Sequence, residues 1–156
     1  VPHKEAIVAP LDAADIRQIY LMRAELEALS ARESATYATE SDIADLTSIN
    51  DELGVAEASA EPDLRHLRGI DIYFHRRLRR ISRMPLLIST LDNLADRGEG
   101  YRARLLDVRF LVIPTARRHV PIIAALERRD AAAAASAMHL HVTEGLDAFM
   151  EVLNRD

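Results

Sequence analysis

Four residues combine metal-ligand chemistry with positions that solvation does not account for. Asp71 and His75 stand four residues apart, so on a helix they lie one above the other on the same face. That face also carries Leu64, Leu67, Phe74, Leu78 and Ile81, an apolar stripe at helical spacing. His119 leads Ile122, Ile123 and Leu126 at i+3, i+4 and i+7. His141 falls on a face that includes Ala134, Met138, Gly145, Ala148 and Phe149. Three helices thus each turn an imidazole toward a common interior, and one of them adds a carboxylate. A buried carboxylate is costly unless a cation, hydrogen bonds or neutralisation offsets it. A divalent ion held by Asp71, His75, His119 and His141 together would satisfy all four groups. The plainer alternative is a set of hydrogen-bonded core histidines beside an Asp-x-x-x-His pair of a kind common on solvated helices.

Arg23 is the second group out of place. It shares a helix face with Ile16, Ile19, Tyr20, Leu26 and Glu27. One reading is an internal ion pair with Glu27 at i+4. The other is an anion clamp, because a guanidinium grips a carboxylate through two parallel N–H bonds. Both hold if Glu27 orients Arg23. The other histidines carry less: His3 is in the terminal segment, His66 has basic neighbours, and His139, two residues from His141, points well away from it.

Positioning these groups takes helices, and the composition favours little else. Glycines number only five, no Asn-Gly or Asp-Gly hairpin signal occurs, and Ala, Leu, Arg and Glu dominate. Asp12 or Asp15 caps a first helix running to about Tyr37, and Thr39 to Asp42 breaks it and caps a second, to about Ser59. Glu61-Pro62-Asp63 opens a third, with Pro62 in its first turn, ending near Ser82. Pro85 opens a fourth, loosened around Gly98 and Gly100 and resuming to about Phe110. Pro114-Thr115 precedes a fifth, and Asp130 caps a sixth that runs to the end. The fold expected is all-α, an antiparallel bundle of about six helices enclosing a metal or ligand cavity, as a single domain over residues 1–156.

Composition narrows the function. Lys and Arg number 20 against 25 Asp and Glu, so the chain is acidic and has no electrostatic footprint for gripping nucleic acid. Without cysteine there are no disulfides, thiolate zinc sites or cysteine nucleophiles, which fits a cytoplasmic setting. No apolar run approaches the ~20 residues of a membrane span. The chain begins at Val1 rather than methionine, as an excised part of a longer protein would.

The order of these residues resembles a family. Arg23-Ala-Glu-Leu-Glu27, Asp71-Ile-Tyr-Phe-His75, His119 followed by Ala125-Leu126-Glu-Arg-Arg-Asp130, and Met138-His-Leu-His141 are similar to the effector domain of the FadR subfamily of GntR transcription regulators. The resemblance runs from about Asp12 to Leu153, and its most specific element is the ordered Asp-x-x-x-His, His, His set. It implies a divalent metal, zinc or nickel, on Asp71, His75, His119 and His141, with Arg23 and the metal together binding a small organic acid. It implies the shorter, VanR-type branch, a homodimer, and DNA contact only through a preceding winged helix-turn-helix domain that this chain lacks. Three positions depart from the pattern: Arg118 where a glutamate is common, Met84 where Asn is frequent, and Pro121, which would kink a helix already under way at His119. The expected function is therefore a sensor and not an enzyme. The rivals are a metal-dependent hydrolase or lyase, since four protein ligands leave coordination positions open, and a metal-free dimerisation bundle.

Overall fold

The computed structural model describes residues 12–105 and 114–153, and among them every regular element is a helix. Six follow in order: α1 Ala13–Tyr37, α2 Glu40–Glu57, α3 Leu64–Ile81, α4 Pro85–Leu105, α5 Thr115–Glu127 and α6 Ala131–Leu153.

Their starts are set by local chemistry. Asp12 and Asp15 share the first terminus: each side chain accepts the other's backbone N–H, at 2.8 and 3.1 Å, a reciprocal capping box. Thr39 and Asp42 do the same for α2. Asp63 caps α3 by accepting from Arg65 N and His66 N, so Pro62 precedes the cap instead of sitting in the first turn. Pro85 opens α4 at the position where a missing N–H costs nothing. Asp130 caps α6 through Ala133 N, at 2.9 Å. The fifth helix is the exception. Its N-cap is Pro114, with no side chain to offer, and Glu57 at the end of α2 supplies the acceptor instead, at 2.6 Å from Thr115 N and 3.2 Å from Ala116 N.

The bundle is antiparallel. Tyr20 stacks on Phe149, Glu25 meets His139 and Thr36 O accepts from Arg129, so α1 and α6 run in opposite directions along their length. Between them and α3, α4 and α5 lies a core of fully buried Ile16, Phe74, Leu78, Ile122, Met138 and Phe149. On α6 the buried face rotates slightly from the sequence expectation. Val142 and Leu146 are buried, whereas Gly145 and Ala148 are only partly so, and His141 still faces inward.

The fourth helix does not loosen at its glycines. It runs unbroken through Gly98 and Gly100, because the Gly98 position packs against Ile19 of α1 and tertiary contact outweighs the low propensity. Its expected resumption to Phe110, like His3, lies outside the described residues. Pro121 lies inside α5, yet the helix continues to Glu127 and His119 is fully buried.

Candidate metal and ligand site

Three helix surfaces converge where the apolar stripes are interrupted. Asp71 and His75 come from α3, His119 from α5 and His141 from α6, and one ligand atom from each lies within 4.8 Å of the others. All four side chains are buried. The Nε2 atoms of His75 and His141 are 3.1 Å apart, and Asp71 Oδ1 is 3.4 Å from His119 Nε2 and 3.6 Å from His75 Nε2. Donors sharing one ion at ~2.0–2.1 Å would stand roughly 3 Å apart.

The tautomer of His119 is legible from its neighbours. Asn50 of α2 donates Nδ2–H to Ala116 O at 3.1 Å, which turns its Oδ1 toward His119 Nδ1 at 3.0 Å. An acceptor there requires Nδ1 to carry the proton, so Nε2 of the neutral ring presents a bare lone pair. That lone pair faces Asp71 Oδ1, and neither atom has a hydrogen-bond partner. Two acceptors opposed in a dry interior repel unless a cation or proton lies between them. The chemistry of the donor set and these orphaned atoms therefore fit a divalent metal. Phe74 fixes the ring from its flat side, stacking at 3.9 Å between centroids and 5° between planes.

Electrostatics prepare the same groups. Burial, reinforced by the neighbouring histidines, pushes His141 well below the usual imidazole range. Burial does the same to His75, outweighing the attraction of Asp71. Both rings are thus neutral at pH 7, the form that coordinates metals. Burial by itself would raise the Asp71 carboxyl, yet it is held well below the ordinary value, the Arg68 guanidinium being the largest cause that opposes burial.

Beside the cluster, between α3 and α4, lies a cavity of about 20 Å3, room for a single water. Arg23, Arg68, Asp71, His75, Arg79 and Glu99 are among its walls. Of the two sequence readings of Arg23, the internal ion pair is present. Its Nη2 is 3.3 Å from Glu27 Oε1, and its Nε is buried without a partner. Glu27 has a closer attachment to Arg79, whose Nε donates to Oε2 at 3.1 Å and whose Nη2 donates to Oε1. Arg79 also reaches Asp92 of α4 at 2.8 Å.

Sequence reasoning placed the four cluster residues and Arg23 on interior faces, and the fold brings them together. It missed Arg79, although Asp71, His75 and Arg79 follow one another at steps of four, and it missed Arg68, three residues before Asp71. A buried run of both charges on one helix face was the available signal. Asn50 and Glu57 had none, because their partners lie 66 and 58 residues away. His139 is half-exposed and pairs with Glu25 at 3.2 Å, away from the cluster, and His66 is exposed. Arg118 does not disturb the site; it ties α5 to α6 through His141 O at 2.6 Å and Glu144 at 2.9 Å.

Antiparallel helices closing on a buried Asp–His cluster define an all-α domain built around a candidate metal centre. The FCD domain model matches residues 18–144, and the chain belongs to that family, the C-terminal effector domain of FadR-subfamily GntR regulators. No curated protein matches the sequence. The fold is similar to that of E. coli McbR/YncC, with a TM-score of 0.76 covering 92% of this chain and 70% of that one, at 18% identity.

Proposed function

We propose that this domain is the ligand-sensing half of a GntR-type regulator, in which Asp71, His75, His119 and His141 hold a divalent metal and Arg23 receives a small organic acid. The observation that carries the reading is the opposed pair of unsatisfied acceptors, Asp71 Oδ1 and His119 Nε2, at the centre of the cluster. A zinc or nickel ion there would serve as a Lewis-acidic post for an anion. This chain's residues do the rest. Asn50 sets the lone pair of His119, burial keeps His75 and His141 neutral, and Arg23 keeps an Nε–H unpartnered and so available to a carboxylate.

The hydrolase or lyase reading needs a general base near the metal. Glu27 is engaged by Arg79 and Arg23, and Glu99 by Arg68, which supports a binding role over a catalytic one. In the intact protein a preceding winged helix-turn-helix would contact DNA, in a homodimer, with ligand and operator linked through one equilibrium.

The test is metal analysis of the purified chain with a thermal-shift screen of small carboxylates. Stoichiometric metal and a subset of stabilising acids are expected. In Arg23→Lys, which keeps charge but loses the fork, the metal should remain while acid affinity falls about tenfold. Acid affinity untouched by that change in a folded protein makes Arg23 structural only.

A further inference from the structure

The seam between α3 and α4 is a ladder of ions. Arg79 meets Asp92 at 2.8 Å, Arg76 meets Asp96 at 2.9 Å, and Arg68 meets Glu99. The rungs are unequal. Arg76 and Asp96 are largely exposed, and such a pair contributes little. Arg68 and Glu99 are mostly buried, and the guanidinium uses two edges at once. Its Nε lies 2.9 Å from each Glu99 oxygen and its Nη2 bonds Oε1, while its Nη1 bonds Asp71 Oδ2.

That arrangement bears on the cluster in two ways. With Oδ2 engaged by Arg68, the Asp71 carboxylate is rotated so that Oδ1 faces His119 and His75. Arg68 also places a full positive charge next to the single carboxylate of the cluster, which by itself would oppose a cation. Glu99 cancels that charge, so the row Asp71–Arg68–Glu99 retains one net negative charge.

We propose that Arg68 and Glu99 are positioning residues for the metal, Arg68 by fixing the rotation of Asp71 and Glu99 by balancing the guanidinium between them. The proposal rests on the metal reading above. Because Glu99 belongs to α4, which supplies no residue to the four-residue cluster, occupancy of the metal is thereby coupled to the seating of α4 on α3.

The experiment is chelator-competition measurement of zinc affinity on the folded chain, with helicity and melting followed in parallel. Glu99→Gln strands the guanidinium against Asp71 and is expected to weaken zinc about 10–100-fold, the usual effect of losing an outer partner. In the double variant Arg68→Gln with Glu99→Gln, the stranded charge is gone, so affinity should rise above that of Glu99→Gln yet stay below wild type because Asp71 is no longer held, a non-additivity that loosened packing would not produce. Asp96→Asn, which removes the exposed rung, should leave zinc affinity unchanged. Hydrogen exchange on the unaltered chain needs no variant: zinc should slow the amides of residues 92–101 on α4. A folded Glu99→Gln within about twofold of wild type, a double variant no tighter than Glu99→Gln, or α4 exchange indifferent to zinc overturns the proposal. A wild-type chain that binds no zinc or nickel overturns the metal reading itself, a different result from any of these.

Discussion

The cluster stands between two walls of opposite construction. On the α2–α5 side the groups are neutral or capped. Asn50 uses both ends of its amide, Glu57 accepts the first N–H groups of α5, Phe74 stacks on His119, and that imidazole is fully buried. On the α4 side the wall is charged. Arg68, Arg79 and Arg23 are shared among Asp71, Glu99, Glu27 and Asp92 around a water-sized cavity. A hydrogen-bonded neutral wall has one good arrangement, since breaking it leaves buried polar atoms at ~1–3 kcal/mol each. A wall of ion pairs is less committed to one partner, because Arg68 and Arg79 are each already divided between two carboxylates and Arg23 keeps an N–H unpaired. The first kind preorganises a ligand atom; the second can admit an anion.

The largest effect should come from the cluster, where the walls meet. His119→Ala and His75→Ala should each weaken zinc or nickel by more than the ~10–100-fold that an outer partner costs, as read by chelator competition. If the two differ widely, the metal belongs to one wall and the cluster does not act as a unit.

The pH response comes next. His75 and His141 are held well below their ordinary value, burial being the main cause. The unfolded chain therefore takes up protons near pH 6.5 that the native metal-free chain refuses, so stability is full above that pH and falls as pH drops below it. Two such groups give a slope of up to ~2.7 kcal/mol per pH unit. Denaturant unfolding between pH 7.5 and 5 measures it, and His75→Gln should flatten it.

Asn50→Ala tests the neutral wall directly. It frees the His119 tautomer and should weaken metal binding about 10–100-fold while leaving every ion pair on the α4 side in place. Affinity within about twofold of wild type would mean that Phe74 packing alone orients the ring.

The two walls also differ in how much of them the sequence disclosed. Helix positions and the inward direction of Asp71, His75, His119 and His141 follow from periodicity and capping, which are local. Asp130, Thr39 and Pro85 mark their helix starts as expected. What escaped was decided across helices. The Gly98 position packs on Ile19, so α4 does not loosen there. Glu57 serves a helix start 58 residues on, a partnership no local pattern encodes. Arg68 and Arg79 were nearer to view, but an arginine on an apolar face and one on a solvated face read alike until the facing carboxylates of α4 and α1 are known.

The smallest effect concerns the far end of the neutral wall. Thr39 caps α2 jointly with Asp42, and Arg77 of α3 clasps the same carboxylate at 2.7 Å. Asp42 is lowered to about 2, chiefly by the Thr39 backbone N–H and then its hydroxyl, with Arg77 adding to them against the opposing effect of burial. A carboxyl depressed from 3.8 contributes stability that is present above 3.8 and lost as pH falls through about 2. Acid should therefore act in two stages, the buried histidines weakening first below about pH 6.5 while the α2 cap holds to far lower pH. Asn50 lies ~16 Å along α2 from this cap, at 1.5 Å per residue. Thr39→Ala should thus cost about 1 kcal/mol of stability and leave metal affinity and the upper acid stage unchanged. A loss of metal binding in that variant would show that α2 does not act as a rigid post, and that the neutral wall yields as readily as the charged one.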